Sequence, residues 1–307
     1  MGKYLLRRIL QMIPVVLGTT LLVYALVFAL PGDPVKAMFG DKPVNEAVAA
    51  QIRSEYNLDK PFIVQYLLFL KNALSLNFGN TFAGQPVIDE ISRAFPVTLK
   101  LALMAFCFEA IFGCVFGAIS GLKGKWYDSV ILIVSLLLIS VPTFVTGFVG
   151  QYFLGVKGHI FPVTAGADPG FFDLLLPAMV LGSVSMAYII RLARSEISSN
   201  IAQDYVRTAR AKGMSNTAVT FRHILRNSMI PVVTYLGQDL GALMGGAMIT
   251  EQIFNIHGIG YLTYQSILKG EANLVVSVVT LLTLVFVICN LIVDMLYAAL
   301  DPRIRYV

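Results

Sequence analysis

The amino-acid sequence predicts an all-α polytopic membrane protein with six transmembrane helices. Of the 307 residues, 57% are hydrophobic and only 13% are charged, whereas about 25% of the residues in soluble domains are charged. The mean hydropathy is +0.75. Six separate stretches are mostly apolar over about the 20 residues that a helix needs to cross a bilayer. Together these features exclude a soluble globular enzyme built around a large core.

The six predicted spans follow one another along the chain. They are Ile9–Leu30, Val97–Gly121, Val130–Gly155, Asp173–Arg191, Met229–Thr250 and Leu274–Leu300. The first follows Lys3, Arg7 and Arg8 and so resembles the start of a secretory signal. Its apolar run is too long for a signal peptide, and no cleavage site of small residues follows it, which favours a retained signal anchor.

The basic residues of the loops predict the orientation. The loops of one side are residues 1–8, 122–128, 191–228 and 301–307. They hold 14 Lys and Arg residues and four acidic residues, whereas the loops of the other side hold eight basic and eleven acidic residues. Basic loops stay in the cytoplasm during membrane insertion. We therefore expect a multi-pass protein of the cytoplasmic membrane with both termini inside.

The spans and loops divide the chain into three regions. They are the basic N-terminal end with the first helix (1–30), an ordered extracytoplasmic segment (31–96), and a core of five helices (97–307) that includes the cytoplasmic loop 191–228. In the extracytoplasmic segment, the polar amphipathic run Val44–Tyr56 precedes the apolar run Phe62–Leu74. The second run is too short to cross the bilayer, so we expect it to lie along the interface or to pack on the helical bundle.

Several kinds of catalytic and cofactor site are absent from the sequence. It contains no G-x-x-x-x-G-K-[ST] loop for ATP, no H-E-x-x-H zinc motif and no G-x-S-x-G nucleophile motif. Cys107, Cys114 and Cys289 fall in apolar stretches without a C-x-x-C pair, so we interpret them as buried small apolar residues. The predicted spans hold no His for an intramembrane serine protease and no G-x-G-D motif for an aspartyl protease. We therefore predict no enzyme activity, cofactor or metal site in this chain.

Ionisable side chains are few within the predicted spans. They are Lys100, Glu109, Asp239 and Asp294. A charged group is costly inside a bilayer, which makes each of them a candidate for function. Lys100 is close enough to a span end to reach the membrane surface, and Asp294 can pair with the arginines of residues 301–307. We take Glu109 and Asp239 as candidates for a translocation pathway, with a hydrogen bond from Asp239 to a neighbouring helix as the alternative.

Glycines are spaced for close helix packing in the second and fifth spans. The two sets are Gly113, Gly117 and Gly121, and Gly237, Gly241 and Gly245. Glycine at every fourth position lets two helix backbones approach closely. We expect the fifth span to pack tightly against another helix, of this chain or of a partner. At the outer end of that span, Glu251 is a third pathway candidate, with a cap or a salt bridge of the outer loop as the alternative.

The cytoplasmic loop 191–228 carries half of the basic residues predicted to lie inside. One part reads Asp204-Tyr-Val-Arg-Thr-Ala-Arg-Ala-Lys-Gly-Met214, and we predict helix, break and helix with Gly213 at the break. A loop that only sets orientation needs charge alone, whereas this one also has the small residues Thr208 and Ala209 ahead of the glycine. Small residues in a short surface helix favour a surface that docks into a groove of another protein.

This loop resembles the E-A-A-x3-G loop of bacterial ABC importer permeases, with Arg207-Thr208-Ala209-x3-Gly213 at the matching positions. The whole chain is similar to the B-type permease of the dipeptide, oligopeptide and nickel group of these importers. Further matching motifs occur in the family's order: Leu30-Pro-Gly-Asp-Pro34, Tyr56-x-Leu-Asp-Lys-Pro61, Phe95-Pro-Val-Thr98, Val141-Pro-Thr-Phe144, Arg222-His-x2-Arg-Asn227, Glu251-x-Ile-Phe254, Gly258-Ile-Gly260 and Asp294-x2-Tyr-x3-Asp-Pro-Arg303. Arg207 replaces the glutamate of the motif's name, a form common in peptide-type members.

The resemblance implies a type I importer core that forms the translocation pathway together with a second, similar permease. It also implies two cytoplasmic ATPase subunits, which bind ATP and Mg, and an extracytoplasmic binding protein that delivers the substrate. The absence of an ATP-binding loop from this chain fits that division of labour. Membrane lipid and a peptide substrate complete the expected partners, and no nucleic acid is among them.

In such permeases the segment that matches Arg207–Gly213 is the coupling helix, which sits in a groove of the ATPase. By this resemblance Ala209 and Ala211 would allow close approach to the ATPase, and Gly213 would end the helix with a sharp turn. The basic residues of the segment would pair with acidic groups of the ATPase rim: Arg207, Arg210 and Lys212.

A peptide is the favoured cargo, because the sequence offers no cluster of His or Cys for a metal. Importers similar to this group also carry nickel, glutathione, sugars or antimicrobial peptides, so another small solute is the alternative. A secondary transporter would show inverted repeats or several charges at the membrane midplane, and the sequence shows neither.

Overall fold

The computed structural model describes residues 2–28, 35, 46–55, 57–166 and 168–300. The α-helices, in chain order, are α1 (Gly2–Phe28), α2 (Glu46–Glu55), α3 (Phe62–Leu74), α4 (Val87–Lys123), α5 (Lys125–Ser140), α6 (Thr143–Gly150), α7 (Phe171–Ile201), α8 (Asp204–Ala211), α9 (Asn216–Val219), α10 (Arg226–Phe254), α11 (Ile259–Leu268) and α12 (Ala272–Leu300). Two π-helical segments, Gln151–Lys157 and Thr220–Leu225, follow α6 and α9. The whole motif Leu30–Pro34, the end of the motif Asp294–Arg303 and both ends of the run Val44–Tyr56 lie outside the described residues.

Four helices in the described part of the chain are long and apolar enough to cross a membrane. They comprise Leu5–Phe28, Val87–Lys123, Phe171–Ile201 and Ala272–Met295. The bent pair Trp126–Ser140 and Thr143–Lys157 adds a fifth candidate if it is counted as one span. Helix α10 has 29 residues and holds the predicted span Met229–Thr250, but it is not among these candidates. The protein is therefore all-helical with four or five candidate spans in this part of the chain, and the number six stays a prediction.

The third predicted span, Val130–Gly155, is not one continuous helix. It is divided into α5 and α6, which are bent by 104° relative to each other. Val141 is extended, with φ −90° and ψ 124°, and Pro142 caps the start of α6. Proline disfavours helical geometry at the residue before it and has no N–H for the helical hydrogen bond. The prediction of a single uninterrupted helix was wrong, and Pro142 explains why.

The predicted cytoplasmic loop 191–228 is mostly helical and begins as an extension of a span. Helix α7 runs ten residues beyond the predicted span end at Arg191, to Ile201. No proline or glycine lies between Arg191 and Ile201 to stop the helix. The apolar pattern ends at Arg191, whereas the helix continues beyond it to Ile201. Helix α7 therefore links the bundle directly to the segment that follows.

The chain divides into two units, of which the first contains residues 1–98 and 257–291. Aromatic packing joins α3 to α1 in this unit. The ring of Tyr24 lies 5.7 Å from that of Tyr66 and 5.3 Å from that of Phe69, centroid to centroid. The Tyr66 hydroxyl donates a hydrogen bond to the Leu17 carbonyl oxygen at 2.9 Å. The short apolar run at α3 thus packs on another helix, which is one of the two placements expected from the sequence; the other was along the membrane interface.

The second unit contains residues 99–256 and 292–307. Helix α7 is its central helix, because 67% of its most apolar window is buried, against 28% or less in the other three candidate spans. Cys107 on α4 is exposed, and Cys114 and Cys289 are partly buried. The expectation that all three cysteines are buried was wrong for Cys107. An apolar side chain on a membrane helix needs no cover from protein, since lipid surrounds it.

Candidate functional site

Segment 203–225, which belongs to the loop predicted to be cytoplasmic, is a helical hairpin with its turn at Gly213. Helix α8 follows the extended residue Gln203, and Asp204 in its first turn complements the helix dipole. Gly213 has φ +80°, and a Cβ added there would meet nothing within 4 Å. Glycine is thus required at this turn by its backbone conformation and not by lack of space. Ser215 caps the next helix, α9, because its hydroxyl accepts a hydrogen bond from the Ala218 N–H at 3.3 Å.

One face of α8 is buried within the chain. Val206 is 0% and Ala209 5% exposed, and both belong to an apolar cluster with Ile197 of α7, Val219 and Ile224. The expectation that Ala209 faces a partner ATPase is therefore corrected. The small side chain permits close approach of α8 to the rest of the hairpin, so this cluster holds the hairpin on α7.

The opposite face of α8 is exposed and basic. We call Arg207, Arg210 and Lys212 the cationic face. The side chain of Arg207 is 75% exposed, and its Nη1 lies 3.8 Å from Asp204 Oδ1, a contact too exposed to hold it firmly. The Thr208 hydroxyl donates to the Asp204 carbonyl oxygen at 2.9 Å. The cationic face is free to meet acidic groups of another protein.

Two exposed aromatic residues of the hairpin were missed by the sequence analysis. Tyr205 on α8 is 37% exposed, and Phe221 in the π-helical segment is 68% exposed. Large aromatic side chains are enriched at the core of protein interfaces. The available signal was an aromatic residue directly before Arg222 in a loop predicted to be cytoplasmic, because such a position gains nothing from contact with lipid.

Above the hairpin, a network of polar side chains joins three helices of the second unit. Arg194 of α7 donates to both carboxylate oxygens of Asp128 on α5, from Nε at 2.5 Å and from Nη2 at 2.7 Å. The hydroxyl of Ser120 on α4 donates to Asp128 Oδ1 at 2.6 Å. A two-point arginine–carboxylate contact fixes geometry as well as charge. The sequence alone does not indicate this network, because residues so far apart in the chain show no spacing pattern.

The glycines of the second predicted span lie against α7. A Cβ at Gly113 would be 2.6 Å from a side-chain carbon of Ile189, and one at Gly117 would be 2.6 Å from the Cβ of Ala193. At Gly121 the nearest atom is a side-chain carbon of Ile197 at 2.9 Å. No ordinary side chain fits at these distances. The backbones of helices α4 and α7 thus approach each other closely along the face of α4 that carries these three glycines, which we call the glycine face.

The glycines of the fifth predicted span differ from one another. A Cβ at Gly237 would meet Val293 of α12 at 2.6 Å, and Gly241 is buried. Gly245 has nothing within 4 Å of an added Cβ. Close packing within the described chain therefore holds for the inner part of this set and not for Gly245, which lies on an exposed face of α10.

The carboxyl groups of Glu109 and Asp239, two of the pathway candidates, interact with each other. Glu109 of α4 is 0% exposed, and its carboxyl interacts with that of Asp239 on α10. Within the described structure, both Glu109 oxygens and Asp239 Oδ2 are buried without a well-formed hydrogen bond. The two pathway candidates therefore belong to one site. A hydrogen bond from Asp239 to a neighbouring helix remains the alternative, with Glu109 of α4 as the partner.

The other ionisable candidates lie elsewhere. Glu251 is fully buried and has interaction partners, which fits a structural role in shaping the outer loop better than a position in a pathway. Lys100 Nζ donates to the Pro169 carbonyl oxygen at 2.8 Å and so is tied to the loop before α7. The expected arginine partners of Asp294 lie outside the described residues. Among the residues that the structure describes, no three His, Cys, Asp or Glu side chains come together as metal ligands.

A cavity of about 190 Å³ opens beside Asp239. It is lined by Thr143 of α6, Leu181 and Ser185 of α7, and Asp239, Ala242, Leu243, Gly246 and Ile249 of α10. The cavity therefore connects the carboxyl pair with the exposed face of α10. Its wall is apolar except at Asp239 and the two hydroxyl residues.

Known proteins resemble this chain over its whole length. Residues 113–306 match the family model described as the binding-protein-dependent transport system inner membrane component, and residues 1–102 match the N-terminal model of the same systems. A relative from Brucella abortus (strain 2308), named as a permease of a peptide transport system, is 37% identical over 100% of both chains. Glutathione transport system permeases of Salmonella choleraesuis (strain SC-B67) and Escherichia coli (strain K12) are 36% and 35% identical, again over 100% of both chains.

These matches agree with the helical architecture and the candidate spans described above. Systems of this kind work with a substrate-binding protein and an ATPase, and their membrane component is the permease. The resemblance read from the loop motif and the other sequence motifs is thereby confirmed. The chain belongs to the family of binding-protein-dependent transport system inner membrane components, the permease subunits of ABC importers in the bacterial inner membrane.

Proposed function

We propose that this permease forms half of the translocation pathway of a peptide importer, with a second, similar permease as the other half. The observation that carries the proposal is the full-length similarity to a permease named for peptide transport, at 37% identity. Two cytoplasmic ATPase subunits bind ATP and Mg and drive transport. An extracytoplasmic binding protein delivers the peptide to the outer side.

The cytoplasmic hairpin is the part that we assign to coupling. The cationic face of α8 (Arg207, Arg210 and Lys212), together with Thr208, docks on the ATPase, and Gly213 sets the angle of the hairpin. The buried face at Val206 and Ala209 transmits the movement to α7 through Ile197. Since α7 is packed without gaps on the glycines of α4, it carries α4 with it. ATP binding then shifts the permease between its two states only insofar as the ATPase binds them differently.

The topology follows from the loop charges. Six spans with both termini and the hairpin inside require α10 to cross the membrane. Its 29 residues correspond to about 43 Å at 1.5 Å per residue, which is enough for a bilayer core of about 30 Å. Labelling of a cysteine introduced at Ser215 tests the orientation. An impermeant maleimide should reach it only in inside-out vesicles, and labelling in intact cells would contradict the assignment.

The outer segment before α4 is assigned to reception of the binding protein. Helices α2 and α3 lie in it, and α3 is anchored on α1 through Tyr66. Deletion of Val44–Tyr56 should lower uptake while the permease still co-purifies with its ATPase. Unchanged uptake would leave the segment with a packing role alone.

The cargo is tested directly by reconstitution. The permease, its second permease, the ATPases and the binding protein are placed in proteoliposomes, and ATP-dependent uptake is measured. We expect uptake of short peptides, whereas uptake of nickel alone would contradict the proposal. Glutathione is the second candidate, since two of the relatives are named for it. Uptake of glutathione in preference to linear tripeptides would favour that cargo.

A further inference from the structure

The carboxyl pair of Glu109 and Asp239 lacks the hydrogen-bond donors that Asp128 and Asp173 of the second unit have. Asp128 has Arg194 and Ser120, and Asp173 accepts a hydrogen bond from the Gly170 N–H at 2.8 Å. No ion pair in the described part of the chain includes Glu109 or Asp239. A buried polar group without a partner is costly, and in a native structure it requires an explanation.

The surroundings of the pair would suit a positively charged amino group. An ammonium has three N–H donors and no acceptor. The cavity offers the Asp239 carboxylate together with the hydroxyls of Thr143 and Ser185. The side chain of Ser185 is itself hydrogen-bonded to the Tyr235 hydroxyl.

The composition and size of the cavity further restrict the kind of ligand that it can hold. Metal ions need several convergent ligands, and the described residues supply no cluster of three here. The volume of about 190 Å³ holds one amino-acid residue and not a whole peptide. Small residues at Ala242 and Gly246 leave the cavity open on the exposed face of α10, so that the rest of a longer ligand can extend outward.

We propose that this cavity binds the positively charged terminal amino group of the cargo peptide, with Asp239 in contact with the ammonium and Glu109 behind it. The inference rests on the proposed peptide cargo. A free α-amino group is mostly protonated near neutral pH, because its ordinary pKa is about 7.7–8.0. A site with one contacting carboxylate and two hydroxyls accepts that group and rejects an acetylated one. The permease itself then selects for a free amino terminus.

Binding is tested on the complete transporter in detergent, without ATP and without the binding protein. Isothermal titration calorimetry compares trialanine with N-acetyl-trialanine. We expect trialanine to bind at least about tenfold more tightly, the effect of one hydrogen-bonded charged contact. Asp239→Asn and Glu109→Gln, which keep side-chain size, should remove that preference, whereas Glu196→Gln on the cytoplasmic extension of α7 should keep it. The same preference in Asp239→Asn, or none in the unaltered transporter, would overturn the proposal.

A second pair of variants tests the site even if the carboxyl variants do not fold. Gly246 lines the cavity, and an added Cβ would first meet Leu181 at 4.0 Å, while its neighbour Gly245 has open space and does not line it. Gly246→Val should weaken trialanine binding, and Gly245→Val should not. Equal effects of the two would overturn the proposed site.

An uptake measurement separates this inference from the peptide cargo. With the binding protein present, uptake of trialanine by the unaltered transporter tests the cargo alone. If trialanine is taken up but the binding experiment shows no preference for the free amino terminus, only the proposed site is overturned. Absence of trialanine uptake would overturn the peptide cargo and the site that rests on it.

Discussion

Asp128 and Asp239 show two ways in which the second unit treats a carboxylate. Asp128 is held by two hydrogen bonds from Arg194 and one from Ser120. Asp239, which is half-buried, interacts with the buried carboxyl of Glu109 and lines an open cavity. The first arrangement is complete within the chain and therefore serves the fold. The second is completed by something outside the chain, which is the property expected of a binding site.

The same division recurs on other surfaces of the unit. Gly117 is closed against Ala193 while Gly245 has open space, and Ala209 is buried while Ala211 on the same helix is exposed. Positions with complete contacts should affect stability when changed. Positions with open contacts should affect transport. Each pair offers a test in which the two substitutions are chemically identical.

The largest effect is expected at the contact between α4 and α7. Gly117→Val adds atoms where a Cβ would already lie 2.6 Å from Ala193 and 2.9 Å from the Ile190 carbonyl oxygen. Overpacking of this kind costs about 3 kcal/mol or more when backbone must move. The purified permease should unfold at a clearly lower Tm. Gly245→Val is the control and should leave the Tm unchanged; equal loss in both would show that the glycine face has no special role.

A smaller effect is expected at the buried face of the hairpin. Ala209→Glu places a charge among Ile197, Val219 and Ile224, at a cost of about 2–3 kcal/mol. The hairpin should then become sensitive to limited proteolysis. Ala211→Glu should keep the hairpin resistant but weaken co-purification of the ATPase, because it puts a negative charge beside the cationic face. Proteolysis of both variants at the same rate would contradict the division of α8 into two faces.

The turn of the hairpin is the next test. Gly213→Val forces a β-branched residue into a left-handed conformation, for which the penalty is about 1–2 kcal/mol. We expect loss of ATP-driven uptake, although the permease still inserts. Gly213→Asn, which tolerates that conformation, should retain most of the uptake. Normal uptake by the valine variant would refute the assignment of this hairpin to coupling.

The smallest effect on stability is expected at the cationic face. Arg207→Ala and Arg210→Ala remove exposed side chains, so the Tm should change by less than the equivalent of about 0.5 kcal/mol. Stimulation of the ATPase by substrate should fall, and by less at high salt, because salt already screens these exposed charges in the unaltered protein. An undiminished stimulation in the double variant would place the ATPase contact elsewhere, with Tyr205 and Phe221 as the next candidates.

The sequence predicted the class of protein better than the course of its helices. The loop around Arg207–Gly213 identified the family because its pattern is local. Pro142 is visible in the sequence, but the long apolar run around it led to the prediction of one continuous span. The contact of Glu109 with Asp239 and that of Asp128 with Arg194 join distant parts of the chain. A local sequence pattern cannot predict which carboxylate will pair with an arginine.

The burial of Ala209 shows a further limit of local reasoning. A small residue in a surface helix is compatible with close approach on either side. Only the positions of Ile197 and Ile224, which come from two other helical segments, decide that the close contact is within the chain. The exposed residues of α8 remain those that we propose for coupling, whereas the buried ones hold the helix in place.

The central claim is that completed contacts serve the fold and open ones serve transport, and a paired measurement on Asp128→Asn and Asp239→Asn tests it most directly. Both changes are isosteric, and both variants are assayed for Tm and for ATP-driven peptide uptake per assembled complex. Asp128→Asn should lose about 1–2 kcal/mol of stability, a few degrees in Tm, and keep its uptake. Asp239→Asn should keep its Tm and lose most of its uptake. The reverse pattern, or a common loss of Tm in both variants, would contradict the account.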